Sequence, residues 1–308
     1  MLVLLFPGQG SQSPGMLRHW LALPGAAEAL ARWSSLTGLD LVRLGTTATA
    51  DEIRDTAVAQ PLLTATGLLS AGAVLDGARP GVVCGHSVGE LPALSVAGVL
   101  AADDAVRLAA VRGRAMSVAA SARPTGMSAV LGGDLETVRR AASAAGVQVA
   151  TVNGAGQVVV GGTVAALESF AADPPAGARV RPLDVAGAFH TSAMSAAEPA
   201  FDAALRELAR QDAECDVVAN ADGEPLRSGD ELVRRLGPQL TAPVRFDLCT
   251  RTLTDLGVSA VVEVAPGGTL AGIVRRALPG VPVVAVRSPE DVPAARALVT
   301  AGVPAGSR

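Results

Sequence analysis

The pentapeptide Gly85-His86-Ser87-Val88-Gly89 stands between an apolar run, Val82-Val83-Cys84, and a helical stretch that begins at Glu90. A serine set between glycines where a strand turns into a helix is the setting of a nucleophile elbow. The glycines let the chain turn tightly without side chains colliding with neighbouring strands, and the turn pushes Ser87 out at the carboxyl end of the sheet. The following helix aims its N-terminus at the site, and the Val88 N–H becomes an oxyanion donor. The chemistry expected is acyl transfer through a serine ester. An ordinary glycine-rich turn is the plain alternative, and the strand before and helix after weigh against it.

A serine hydroxyl needs a proton acceptor within hydrogen-bond reach. The chain has only three histidines, His19, His86 and His190, and it has no Lys and no Tyr, all 25 basic residues being Arg. A lysine Schiff base, a Walker lysine and a tyrosine acid are therefore excluded. His86 adjoins Ser87, and its side chain is expected to pack or hydrogen-bond under the elbow. His19 reads as a surface helix residue. His190, in the loop Ala186-Gly187-Ala188-Phe189-His190-Thr191, falls at a predicted domain junction and is the base by elimination. No aspartate stands out to orient it; Asp184 reads as a strand residue at the surface.

The elements that position these residues follow from the apolar pattern. Residues 1–6 read as a buried strand ending in Pro7-Gly8-Gln9-Gly10, with no basic segment before it, so it is not read as a signal peptide. Helices are predicted over 51–77, 90–100, 103–120 and 192–210, and strands at 82–84, 260–264 and 281–286. Between them, strand 127–131, helix 134–145, strands 147–152 and 157–161, helix 163–172 and strand 179–185 follow the β-α-β-β-α-β order of a ferredoxin-like unit. The expected architecture is α/β, a parallel-sheet core of residues 1–124 and 187–308 with a ferredoxin-like subdomain at 125–186 inserted in it.

The 308 residues carry a net charge of −4 without a basic block, which disfavours nucleic acid. No apolar run is read as reaching the roughly 18 residues of a transmembrane helix. Cys84, Cys215 and Cys249 show neither metal spacing nor a disulfide framework, which suits a reducing cytoplasm. No metal and no cofactor is expected, and the chain is expected to act as a monomer.

Four ordered motifs are similar to those of a known family: Phe6-Pro7-Gly8-Gln9-Gly10-Ser11-Gln12, Gly85-His86-Ser87-Val88-Gly89-Glu90, Arg112-Gly113-Arg114-Ala115-Met116 and Gly187-Ala188-Phe189-His190. Together they resemble the malonyl-CoA:acyl carrier protein transacylases of bacterial type II fatty acid synthesis and the related acyltransferase domains of polyketide synthases. The likeness runs through Asn153-Gly154, Gln239-Leu240-Thr241-Ala242-Pro243-Val244-Arg245 and Glu263-Val264-Ala265-Pro266-Gly267-Gly268 to cover essentially the whole chain. It implies a hydrolase-like α/β core with a ferredoxin-like insert. It further implies Ser87 as the acylated serine and His190 as its base. Gln9 and Val88 would supply the oxyanion N–H groups, Gln239 a main-chain carbonyl that orients the histidine, and Arg112 the partner of the malonyl carboxylate. A phenylalanine at 189 goes with malonyl over methylmalonyl. The substrates implied are malonyl-CoA and the phosphopantetheine thiol of acyl carrier protein.

Arg112 also has a physical reading. A guanidinium offers two parallel donors that match one carboxylate. A surface arginine on helix 103–120 is the competing reading, and helix spacing, which puts Arg112 with Leu108 and Met116, tilts it inward. Met116 reads as pocket or core, and Asn153, like His86, as a residue near the substrate or one that only packs or turns. Arg179 and Arg181, or Arg275 and Arg276, are candidates to dock an acidic carrier protein. A serine thioesterase or lipase-like hydrolase, a discrete polyketide acyltransferase and a non-catalytic carrier-docking subunit remain as rivals.

Overall fold

In a computed structural model that describes residues 1–185 and 187–302, ten strands form two sheets. The chain begins with β1 (Leu2–Phe6), α1 (Ala26–Thr37), α2 (Leu41–Thr46) and the long α3 (Thr56–Leu75). Next come β2 (Val82–Gly85), a 3-10 turn at Ser87–Gly89, α4 (Glu90–Val96) and α5 (Ala102–Ser121). The middle of the chain runs β3 (Thr125–Gly132), α6 (Leu135–Ala144), β4 (Gln148–Gly154), β5 (Gln157–Thr163), α7 (Val164–Ala172) and β6 (Ala178–Leu183). It then returns through α8 (Glu198–Arg206), β7 (Asp216–Val218), β8 (Pro225–Leu226), α9 (Gly229–Leu236) and α10 (Phe246–Asp255). β9 (Ala260–Glu263), α11 (Thr269–Ala277), β10 (Val283–Ala285) and α12 (Val292–Gly302) complete it.

The larger sheet has the order β10-β9-β1-β2-β7-β8, parallel except for β8 at its edge. Its strands read as continuous apolar runs because both faces are covered. Leu2, Leu4 and Phe6 of β1 face one core with α3 and α5, while Val3 and Leu5 face another with α10 and α11. The smaller sheet, β4-β5-β3-β6, is antiparallel. Val130, Val158 and Val160 on one face pack against Val138 of α6 and Leu167 and Phe170 of α7. Met127 and Val159 on the other face turn to the core of the large sheet. Val244 ties the two together: its N–H donates to Ala150 at 3.0 Å and its carbonyl accepts from Val152 at 2.8 Å.

The mixed α/β architecture with its separate antiparallel sheet is the one expected, while several boundaries move for local reasons. The helix expected over 51–77 starts at Thr56, because Asp55 caps it by accepting the Ala57 N–H at 2.9 Å. Contrary to the sequence reading, this α3 is, by length and composition, apolar enough to cross a membrane; its residues are mostly buried inside the protein, against α5. The helix expected over 192–210 divides into a 3-10 turn, Ser192–Ala197, and α8, which starts beside Pro199, where a missing N–H costs nothing. His19 is exposed, but on a 3-10 turn rather than an α-helix. Ala186, in the predicted base loop, and residues 303–308 lie outside the described residues.

Candidate active site

The loops that follow β1, β2 and β9 meet at the carboxyl ends of these three adjacent strands. There Gln9, Ser87 and Leu270 line one cavity of about 330 Å³, closed on the other side by Met127 and Val159 of the small sheet. This is where ligands collect in open α/β sheets.

Ser87 has a φ of 56°, the left-handed region that a non-glycine residue enters only under constraint. Its flanks explain the two glycines. A Cβ on Gly85 would fall on the Gly89 carbonyl carbon and the Glu90 nitrogen, and one on Gly89 would fall on the Phe6 carbonyl oxygen. Asn220 locks the turn from behind: its Oδ1 accepts the Ser87 N–H at 2.7 Å and its Nδ2 donates to the Gly85 carbonyl at 2.6 Å.

Ser87 Oγ lies 2.7 Å from His190 Nε2, and His190 Nδ1 lies 2.8 Å from the main-chain oxygen of Gln239. A carbonyl can only accept, so Nδ1 carries the proton and the Nε2 lone pair faces the serine hydroxyl. Burial, reinforced by the nearby Arg112 cation, lowers the His190 pKa to about 3. The imidazole is therefore a neutral acceptor throughout the physiological range.

Arg112 is 2% exposed, which settles its position in favour of the interior. Its Nη1 donates to Gln60 Oε1 at 2.8 Å, and its Nη2 to Gln239 Oε1 at 2.9 Å and Ser87 Oγ at 3.2 Å. All three acceptors are neutral, and among the described residues no carboxylate forms a salt bridge with it. Burial lowers its pKa to about 10, against the pull of Glu90, so it stays cationic at neutral pH. Glu90 sits behind Gln239, accepting from its side-chain Nε2 and from the Asn220 N–H. Burial raises the Glu90 carboxyl to about 7, opposed by the Asn220 N–H and by Arg112.

The remaining predicted residues divide. Gln9, Val88, Met116, Phe189, His86 and Asn153 all line the cavity. His86 Nε2 lies 3.0 Å from Asn153 Oδ1, which fixes the imidazole at the foot of the elbow and away from the serine hydroxyl. The Gln9 side chain faces α3, accepting from Thr56 Oγ1 at 2.7 Å. Arg179 and Arg181 are exposed on β6, outside the cavity lining, and Arg275 and Arg276 are exposed on α11. Asp184 is exposed and pairs with Arg54 at 2.8 Å on the cavity rim. Sequence reasoning missed Gln60, Glu90 and Asn220 as members of the site. Glu90 alone carried a signal, as the last residue of the elbow motif. Among the described residues no cluster of three or more metal-ligating side chains occurs.

A serine on a strand-to-helix elbow, within hydrogen-bond distance of a buried histidine and set in an α/β core carrying a small antiparallel sheet, is the arrangement of a class: serine-dependent acyl-transfer proteins. Residues 3–296 match the acyl transferase domain family, and the chain belongs to it. The malonyl CoA-acyl carrier protein transacylase of Mycobacterium tuberculosis (strain H37Rv) is 52% identical over 297 residues, covering 95% of this chain and 98% of that one. The crystal structure of MCAT from Mycobacterium tuberculosis matches with a TM-score of 0.92 at 51% identity, covering 96% of this chain and 99% of that one. A malonyl-transacylase in complex with a type II PKS acyl-carrier protein matches with a TM-score of 0.89 at 28% identity, again over 96% of this chain and 99% of that one. The mycobacterial likeness accords with the actinobacterial source that a lysine-free, Ala-, Gly- and Arg-rich composition suggests.

Proposed function

We propose that this protein transfers the malonyl group of malonyl-CoA to the phosphopantetheine thiol of an acyl carrier protein through a malonyl ester on Ser87. One observation carries the reading: a buried guanidinium with only neutral partners stands 3.2 Å from the Ser87 hydroxyl. A buried cation beside a nucleophile calls for an acyl group that brings its own carboxylate.

In the first half-reaction His190 Nε2 takes the Ser87 proton while Oγ attacks the thioester carbonyl. The Gln239 carbonyl, bonded to Nδ1–H, steadies the imidazolium that forms. The Ser87 N–H is occupied by Asn220 and the Gly89 N–H by the His86 carbonyl, which leaves Val88 N–H, with that of Gln9, for the tetrahedral oxyanion. Collapse breaks the C–S bond, and His190 returns its proton to the departing CoA sulfur. In the second half-reaction the carrier thiol gives its proton to His190 and attacks the ester carbonyl. The C–O bond breaks, and the proton returns to Ser87 Oγ. Phe189, beside His190, would crowd an α-methyl branch and favours malonyl over methylmalonyl. In this reading 125–186 forms the smaller lobe of the cleft, and Arg112 holds the acyl group while water is excluded.

The experiment follows acyl groups onto phosphopantetheinylated carrier protein from malonyl-CoA and from acetyl-CoA. The expected result is malonyl-carrier protein as the main product, favoured over acetyl by roughly ten- to a hundredfold, the scale of a charge-assisted bidentate contact. Free malonate as the main product would instead mark a thioesterase.

A further inference from the structure

The transfer chemistry leaves Glu90 without a task, although it is 6% exposed and lies at the centre of the buried network. Its Oε1 accepts the Asn220 main-chain N–H at 2.7 Å, and its Oε2 accepts from Gln239 Nε2. A carboxylate has acceptors only, so it admits the NH2 side of the Gln239 amide and rejects the oxygen side. The Gln239 Oε1 must then point the other way, where it accepts from Arg112 Nη2 at 2.9 Å. Asn220 Oδ1, 3.4 Å from the same Nε2, favours the same sense. The reverse sense would set an NH2 group against a guanidinium, donor to donor, in a buried place.

Gln239 thus lies between an anion and a cation. A carboxylate in direct contact with Arg112 would pair with the guanidinium and compete with any acid-bearing substrate. The amide passes on orientation without supplying a counter-ion.

We propose that Glu90 is a positioning residue for malonyl recognition: by accepting from Gln239 Nε2 it fixes the sense of that amide, which holds Arg112 beside Ser87 with its charge free for the substrate carboxylate. The inference rests on the malonyl-transfer reading above.

The test is a double-mutant cycle of Glu90→Gln and Gln239→Met. For each variant kcat and KM are measured with malonyl-CoA and acetyl-CoA, well above pH 7 so that Glu90 is ionised. Glu90→Gln keeps the shape but replaces one acceptor with an NH2 group, so the Gln239 amide turns over and presents its NH2 to Arg112. KM for malonyl-CoA should rise about tenfold, and the malonyl-over-acetyl ratio of kcat/KM should fall about tenfold, with the acetyl constants changing much less. Gln239→Met removes the amide but keeps the carbonyl that holds His190, so it should lose malonyl preference by itself. In that background Glu90→Gln should cost no further preference. Equal losses for both donors, or additive effects of the two substitutions, would overturn the proposal. If Glu90→Gln does not fold, Gln239→Met alone decides: retained malonyl preference overturns the proposal. A wild-type protein that forms no malonyl ester would defeat the underlying reading instead, whereas normal transfer with an unchanged preference in Glu90→Gln defeats only this inference.

Discussion

The Nδ1 of His190 lies 2.8 Å from the main-chain oxygen of Gln239, so the place an aspartate holds in many serine triads is filled here by backbone. A main-chain group survives substitution of its side chain. Gln239→Ala should therefore acylate Ser87 from acetyl-CoA within about tenfold of wild type, whereas the loss of a triad aspartate costs ~10⁴ in kcat. The check is the rate of acetyl-enzyme formation by rapid quench. A drop of that larger size would mean that the side chain, not the carbonyl, orients the imidazole.

The buried imidazole also sets the pH response. Burial and Arg112 hold His190 at about 3, so acylation from acetyl-CoA, which brings no carboxylate to Arg112, should stay level as pH falls through 6.5, the ordinary histidine value. A limb in kcat/KM for acetyl-CoA centred near 6.5 would contradict a buried neutral base. Between about 3 and 6.5 the unfolded chain binds the proton that folded His190 refuses, so this group's contribution to stability is lost as pH falls through that window. Glu90 has the opposite sign. Raised from 4.5 to about 7, its contribution is complete at low pH and is lost as pH rises across that interval.

How much of this was readable from the residues depends on whether the signal is local. The elbow is local: a strand, two glycines with no room for a Cβ and a following helix are contiguous, so Ser87 stands out. The β-α-β-β-α-β order is also local and periodic. β7 is not, since three residues carry no period, and with β7 unseen there was no reason to place Asn220 behind the serine. Gln60 looks like an ordinary polar residue on a helix, and Glu90, although it closes the elbow motif, shows in sequence no sign of its partner; only packing turns the two inward to Arg112 and Gln239. His190 emerged by elimination because the chain has so few histidines, and the carbonyl that holds it had no signal beyond family resemblance.

In the proposed reading Arg112 separates this protein from a general serine acyltransferase. Arg112→Ala should lose malonyl transfer and relatively favour acetyl, because the buried cation that disfavours neutral acyl groups is gone. The selectivity change should be roughly ten- to a hundredfold. Arg112→Lys should recover little, since one ammonium cannot reproduce the planar fork that reaches Gln60, Gln239 and Ser87 together. Competition between the two donors in one reaction measures the ratio directly. A uniform drop for both would reduce Arg112 to a support of the fold.

The most direct test of the account is the intact mass of the protein after brief exposure to malonyl-CoA, for wild type, Ser87→Ala and His190→Ala. Wild type should gain one malonyl group, and adding phosphopantetheinylated carrier protein should discharge it to malonyl-carrier protein. Ser87→Ala, folded as judged by its thermal unfolding, should gain nothing, and His190→Ala should acylate slower by several powers of ten. A malonyl adduct of undiminished yield on Ser87→Ala would place the nucleophile elsewhere and contradict the account.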